Sequence, residues 1–172
     1  MRKDREASQE VPDARGLSFA LVVSRFNDFV TDRLQDGALG ALASAGVSTN
    51  EVSVLSVPGS FELPLAARCV AETKRFDAVI CLGCLIRGAT SHFEYIASAV
   101  SSGIIHASAE TRVPISFGVL TTNSVEEALE RAGQGPSNKG REAAIAAIEM
   151  AILLRELGTI ALRTGARRDN KK

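Results

Sequence analysis

Short apolar runs alternate along this chain with longer segments whose apolar positions recur at three- and four-residue spacing. That alternation predicts strands separated by amphipathic helices. Phe19-Ala-Leu-Val-Val23 reads as a strand ending at Ser24-Arg25-Phe26-Asn27. From Val30 to Ala45 the positions Val30, Leu34, Ala38, Ala41, Leu42 and Ala45 follow helical spacing, and Gly46 offers a stop. A second strand, Glu51 to Val57, leads through Pro58-Gly59-Ser60. Ser60 is placed to cap a helix from Phe61 to about Thr73, with Pro64 tolerated in its first turn. A third strand covers Ala78 to Leu85 and a helix Ser91 to Ala109; a fourth strand covers Val113 to Leu120. Ser124 and Glu127 then have capping-box spacing before a short helix ending near Arg131. A loop of small residues, Ala132 to Gly140, precedes a last helix from Arg141 to about Leu157.

The central strands are too continuously apolar to face water on either side. They predict a mainly parallel four-stranded sheet in a three-layer α/β/α sandwich, with right-handed crossovers. Such a sheet gathers ligand-binding residues in the loops that follow its strands. Phe26, Ser60-Phe61-Glu62, Arg87-Gly88-Ala89-Thr90 and Thr121-Thr122 all fall there, far apart in sequence yet able to converge. Neither a G-x-G-x-x-G nor a Walker pattern occupies those turns, which leaves a nucleotide-binding reading without support. The expected organisation is one domain over residues 17–158, preceded by a flexible polar arm, 1–16, and followed by a basic extension, 159–172.

Composition narrows the function further. With 20 basic and 20 acidic side chains, the chain has no global charge to draw it to nucleic acid. Tryptophan is absent and Tyr95 is the single tyrosine, so aromatic platforms for bases are few. The charged start lacks the apolar centre of a secretion signal, and no apolar stretch approaches the roughly 20 residues of a membrane span. Cys69, Cys81 and Cys84 sit in apolar segments and read as reduced, buried thiols. The Cys81/Cys84 spacing resembles a redox pair, but it falls late in a strand rather than at a helix start, where a thiolate is activated. A cytoplasmic protein is the expectation, with no nucleic-acid or membrane partner.

The segment from Gly83 to Tyr95 concentrates the chemistry. An apolar strand stops at Arg87-Gly88, and polar residues lead into His92 at a helix start. Strand, small-residue turn and helix N-terminus suit an anion, and an imidazole beside it suits proton transfer near neutral pH. Gly88-Ala89-Thr90 can present backbone amides and a hydroxyl, and Glu94 is a candidate to orient the imidazole. His92 and His106 lie fourteen residues apart on one helix, outside any Cys/His framework, so neither a metal nor another cofactor is expected.

Several longer motifs, in order, resemble the lumazine synthase family. They are Ser24-Arg25-Phe26-Asn27, the run from Val57 to Pro64, the run from Ile86 to Tyr95, and Phe117 to Thr122. Glu130-Arg131-Ala132-Gly133, Asn138-Lys139-Gly140 and Ala147 to Met150 complete them. The resemblance implies condensation of 5-amino-6-(D-ribitylamino)uracil with 3,4-dihydroxy-2-butanone 4-phosphate. The products would be 6,7-dimethyl-8-ribityllumazine, phosphate and water, in riboflavin biosynthesis. It gives His92 proton transfer and Arg131 the phosphate, together with Gly88, Ala89 and Thr90. Phe26 resembles the stacking residue, with Asn27, Ser60, Phe61 and Glu62 about the ring and ribityl chain, and Leu85 and Ile86 closing the apolar wall. Phe117 and Lys139 resemble residues contributed by a neighbouring subunit, with Glu142 in support. Arg87 is open between a supporting role and an inter-subunit ion pair.

The family is built on homopentamers, twelve of which form an icosahedral 60-mer in some members, a shell that can enclose riboflavin synthase. Here the connection reads Gly133-Gln134-Gly135-Pro136-Ser137, departing from the common Gly-Thr-Lys pattern, and Pro136 fixes local geometry. The alternative is a non-catalytic protein on the same scaffold that binds flavin or lumazine or only forms a shell. Retention of His92, Arg131 and the aromatic positions favours the enzyme.

Overall fold

The computed structural model describes residues 11–169 of the 172. In chain order they form β1 (Phe19–Ser24), α1 (Asp28–Ser44), β2 (Val52–Val57), α2 (Leu63–Glu72) and β3 (Ala78–Ile86). There follow α3 (His92–Thr111), β4 (Ile115–Thr122), α4 (Val125–Arg131) and α5 (Lys139–Asp169). The strands make one parallel sheet in the order β2-β1-β3-β4, with Phe19 opposite both Val52 and Ala78 and Val79 opposite Ile115.

The two-residue period of β1 sorts its apolar side chains to the two faces. Phe19, Leu21 and Val23 join the core under α1, α4 and α5, whereas Ala20 and Val22 join the core under α2 and α3. β3 does the same with Ile80, Leu82 and Cys84 against Val79 and Cys81. Burial on both faces is why these strands read as unbroken apolar runs, and the α/β/α sandwich is as expected. Cys81 and Cys84 therefore point to opposite faces and are free thiols, pushed up by burial to about 12 and about 11. Cys69 differs from expectation, because it is exposed on α2.

Element edges depart from the sequence reading where a local constraint intervenes. β4 starts at Ile115 rather than Val113 because Pro114 has no N–H to give; its carbonyl accepts from Val79 at 2.8 Å. Ser60 does not cap a helix: its hydroxyl makes no hydrogen bond among the described residues, and a single 3-10 turn, Ser60–Glu62, precedes α2. The Glu62 carboxylate closes that turn instead, accepting from the Gly59 N–H at 2.8 Å. α5 runs past the expected stop at Leu157 to Asp169, since Gly158 alone, with no proline after it, weakens a helix without ending it. Residues 159–169 of the expected extension thus continue this helix, and 170–172 lie outside the described residues. Of the expected arm, residues 1–10 lie outside them too; Ala14 is buried, and its N–H donates to the Ala45 carbonyl at 2.8 Å.

α1 and α5 approach unusually closely, because a Cβ added at Gly140 would overlap the carbonyl oxygen of Leu34. At Gly158, by contrast, no atom lies within 4 Å of an added Cβ. Gly140→Ala is expected to destabilise the fold by about 1–3 kcal/mol or more, as backbone must move. Gly158→Ala should stabilise it by roughly 0.5–1 kcal/mol through helix propensity alone. Urea-unfolding midpoints of the two variants should move in opposite directions.

Candidate active site

The winding reverses between β1 and β3. α1 carries the chain from β1 toward β2 on one face, and α2 carries it back across β1 to β3 on the other. The loops after β1 and β3 therefore part and leave a crevice at the strands' carboxyl ends. A cleft of about 330 Å³ occupies this crevice.

Backbone bonds draw its walls together. After β1, Arg25 N–H donates to the Val57 carbonyl at 2.9 Å and Phe26 N–H to the Pro58 carbonyl at 3.2 Å, which sets Phe26 beside the Gly59-Ser60-Phe61 turn. Asn27 adopts the left-handed conformation, φ 62, which asparagine tolerates better than most residues. From there its Nδ2 donates to the Cys84 carbonyl at 3.0 Å and spans the crevice. Phe26 and Phe61 are left 68% and 57% exposed, large apolar faces turned to solvent at the cleft. Ser60 is buried, its hydroxyl against Gly83 of β3 and without a hydrogen-bond partner among the described residues.

β3 supplies the remaining wall. Leu85 and Ile86 are half-buried there, and Gly88, Thr90 and His92 lie on the turn into α3. No side chain among the described residues caps α3, so the positive end of a 20-residue helix faces this turn. Ala89 belongs to the same turn and Glu62 to the turn before α2, but neither lines the cleft. Gly59, Cys84, Phe93 and Ile96 do line it and were not anticipated. For Phe93 and Ile96 the signal was available: they sit one helical turn apart, and Phe93 follows His92 directly.

Glu94 does not orient His92. Its carboxylate pairs with Arg87 Nη1, and that hydrogen bond is the main reason its carboxyl is held below the usual range. Within the chain Arg87 has further partners. Its Nε donates to Asn123 Oδ1 at 3.0 Å, its guanidinium lies 4.5 Å from the Phe93 ring centroid, and its N–H donates to the Thr122 carbonyl. These contacts tie both ends of the 87–94 turn to the end of β4.

Phe117, Arg131, Lys139 and Glu142 lie elsewhere, in a groove of about 600 Å³ along the outer edge of β4 between α3 and α5. Arg131, in the last turn of α4, bonds only the Glu127 carbonyl among the described residues, at 3.2 Å. Lys139, at the start of α5, is paired with Glu142, its Nζ 2.8 Å from both carboxylate oxygens. The expected site residues thus sort into two cavities of one chain. No group of three or more His, Cys, Asp or Glu among the described residues could hold a metal ion. None of the helices described is long and apolar enough to cross a membrane.

The Arg87–Glu94 pair has a pH signature. Because the folded carboxyl is lowered, its contribution is present above the ordinary carboxylate range and is lost as pH falls through the lowered value. Wild type should therefore melt above Glu94→Gln at neutral pH, and the gap should close on acidification. A gap independent of pH would remove the ion pair from the account of this turn.

Comparison with known proteins bears on the family. The family model for 6,7-dimethyl-8-ribityllumazine synthase matches residues 16–155. The chain is also 56% identical, over 144 residues, to a 6,7-dimethyl-8-ribityllumazine synthase of Syntrophus aciditrophicus (strain SB), covering 84% of this chain and 94% of that protein. The matched span contains both the cleft and the groove, and on these grounds the chain belongs to the 6,7-dimethyl-8-ribityllumazine synthase family.

Proposed function

We propose that this chain condenses 5-amino-6-(D-ribitylamino)uracil with 3,4-dihydroxy-2-butanone 4-phosphate, releasing 6,7-dimethyl-8-ribityllumazine, phosphate and water. Family membership supports the lumazine synthase reaction in general. The observation that carries the particular reading is the pairing of exposed Phe26 and Phe61 with an uncapped helix start and His92 in one cleft. A flat, apolar pyrimidine ring gains from an aromatic face, worth roughly 0.5–1.5 kcal/mol beyond area burial. The hydroxyl-rich ribityl chain needs polar partners, and Asn27 in the cleft lining is such a group. Forming an imine, expelling phosphate and closing the ring all move protons, and His92 stands where they would be moved.

Electrostatics supports an active site shared between subunits. The phosphate is an anion, yet the cation on the cleft's own turn, Arg87, is neutralised by Glu94. In the β4-edge groove, Arg131 has no carboxylate partner among the described residues. Setting one subunit's groove against a neighbour's cleft brings a guanidinium to the Gly88–Thr90 amides and adds Phe117 and Lys139 to the walls. A homopentamer provides such neighbours. A sixty-subunit shell enclosing riboflavin synthase would be a further level of assembly, not needed for turnover. The reading extends to the cytoplasm, where free thiols persist.

With both purified substrates, lumazine and phosphate should appear together without any added redox cofactor. Absence of both products from folded protein would overturn the proposal and leave a binding or shell-forming protein. His92→Ala should slow the single-turnover rate by no more than the roughly 10²–10⁴-fold that a general acid–base group contributes. Arg131→Ala should weaken the phosphorylated ketone by about 1.5–3 kcal/mol, the worth of a charged hydrogen bond, and the pyrimidine far less.

Mixed assemblies test the sharing directly. Subunits carrying His92→Ala and subunits carrying Arg131→Ala, refolded together, should regain activity that neither homogeneous variant has. Simple mixing of preformed oligomers should not. A folded monomer with wild-type turnover would remove the shared site.

A further inference from the structure

Asn138 is the residue just before α5, and it is 3% exposed, a polar side chain enclosed by three helices. Its Oδ1 accepts from the Arg141 N–H at 3.1 Å, so it caps α5. Its Nδ2 donates to the carbonyls of Ala132 at 3.2 Å and Gly133 at 2.9 Å, which follow the last turn of α4. The same nitrogen also reaches the Arg33 carbonyl of α1 at 3.1 Å. Two N–H groups shared by three carbonyls on one side, and one N–H on the other, leave the amide a single orientation. α1 makes room for it, because a Cβ at Gly37 would overlap Oδ1.

The elements joined here are those that carry the cations of the groove. Arg131 is the last residue of α4 and Lys139 the first of α5, one on each side of the segment that Asn138 folds back on itself. Between Ala132 and Asn138 lie Gly133, Gln134, Gly135, Pro136 and Ser137, with Gly135 at φ 97 and the Asn138 N–H donating to the Gly135 carbonyl at 3.3 Å. Asn138 faces the cavity behind the loop, with Arg33 and Asp36, and does not line the groove.

We propose that Asn138 is a positioning residue for phosphate recognition, setting the spacing of Arg131 and Lys139 by bonding the end of α4 and the start of α5 to one amide. This rests on the reading of Arg131 as the phosphate-binding arginine. The amide acts only through those two side chains.

Asn138→Asp tests it with little change of shape. The variant keeps the capping oxygen and adds a negative charge that the start of α5 favours. It also turns an oxygen toward the three carbonyls that the amide held, so the link to α4 is lost while the cap survives. Asn138→Ser is the milder variant, keeping a capping oxygen and removing the amide. In the assembled enzyme, both should raise KM for the phosphorylated ketone and the inhibition constant of inorganic phosphate roughly tenfold, within the up to ~10²-fold cost of a misplaced group. KM for the ribitylaminouracil should change far less, within about twofold, since Asn138 bonds none of Phe26, Phe61 and His92.

A lowered melting temperature with unchanged phosphate inhibition, or equal losses for both substrates, would make Asn138 merely structural and overturn the proposal. Failure of both variants to fold would do so too. Arg131→Ala measured in parallel separates the two layers. If it leaves phosphate inhibition unchanged, the phosphate reading itself fails. If it weakens inhibition while the Asn138 variants do not, only the positioning role fails.

Discussion

The reversal of winding between β1 and β3 is the constraint on which the rest of the structure depends. Parallel strands need crossovers, and the right-handed rule sends α1 to one face and α2 and α3 to the other. Two adjacent strands whose loops leave in opposite directions cannot close the space above them. The cleft is therefore a consequence of strand order, and residues after β1, β2 and β3 enter it without being near in sequence. Asn27 shows how the gap is kept at a fixed width. Its strained backbone places an amide across the crevice onto the Cys84 carbonyl, which β1 and β3 could not bond through their ladder alone.

The groove obeys a different constraint. β4 ends the sheet, so its outer edge is open, and what lies beside it is set by how α5 returns over the sheet. That return is governed by contact with α1, so close at Gly140 that there is no room for a methyl group. Cleft and groove thus derive from different parts of the fold. Changes on the α1–α5 side can alter cation placement while leaving the aromatic cleft alone.

Much of this was legible from sequence because it depends on local periods. Strands buried on both faces announce themselves as unbroken apolar runs, and Phe26, Gly88 and His92 follow such runs, whereas Ser60 follows the half-exposed edge strand β2. Ser124 caps α4 through the Glu127 N–H at 3.2 Å, as the capping-box spacing requires. What was not legible depends on how a turn closes. Glu94 might have faced His92 two residues away, but the 87–94 turn folds so that Arg87 takes its carboxylate. Glu62, rather than Ser60, caps the turn before α2 because a 3-10 start brings the carboxylate back to Gly59. Asn138 just before a helix is a local capping signal, but its bond to the Arg33 carbonyl, 105 residues away, has none. Gly37 was the available hint, a glycine inside a helix that costs about 1 kcal/mol relative to alanine and so asks what lies against it.

The charges at both cavities are arranged in a way that stability alone does not explain. Arg87–Glu94 and Lys139–Glu142 are exposed pairs, with side chains between 43% and 50% accessible, and such pairs contribute only ~0–1 kcal/mol. A carboxylate held that weakly can be exchanged for a ligand anion at little cost. On the proposed reading the two pairs then serve different ends. Arg87 is also held by Asn123 and the Phe93 face, so it remains in place and keeps the turn in shape whatever Glu94 does. Lys139 has Glu142 as its side-chain partner, so it can turn to a phosphate and leave Glu142 in water. On the same reading Arg131, which has no carboxylate partner among the described residues, is the cation that meets the anion first.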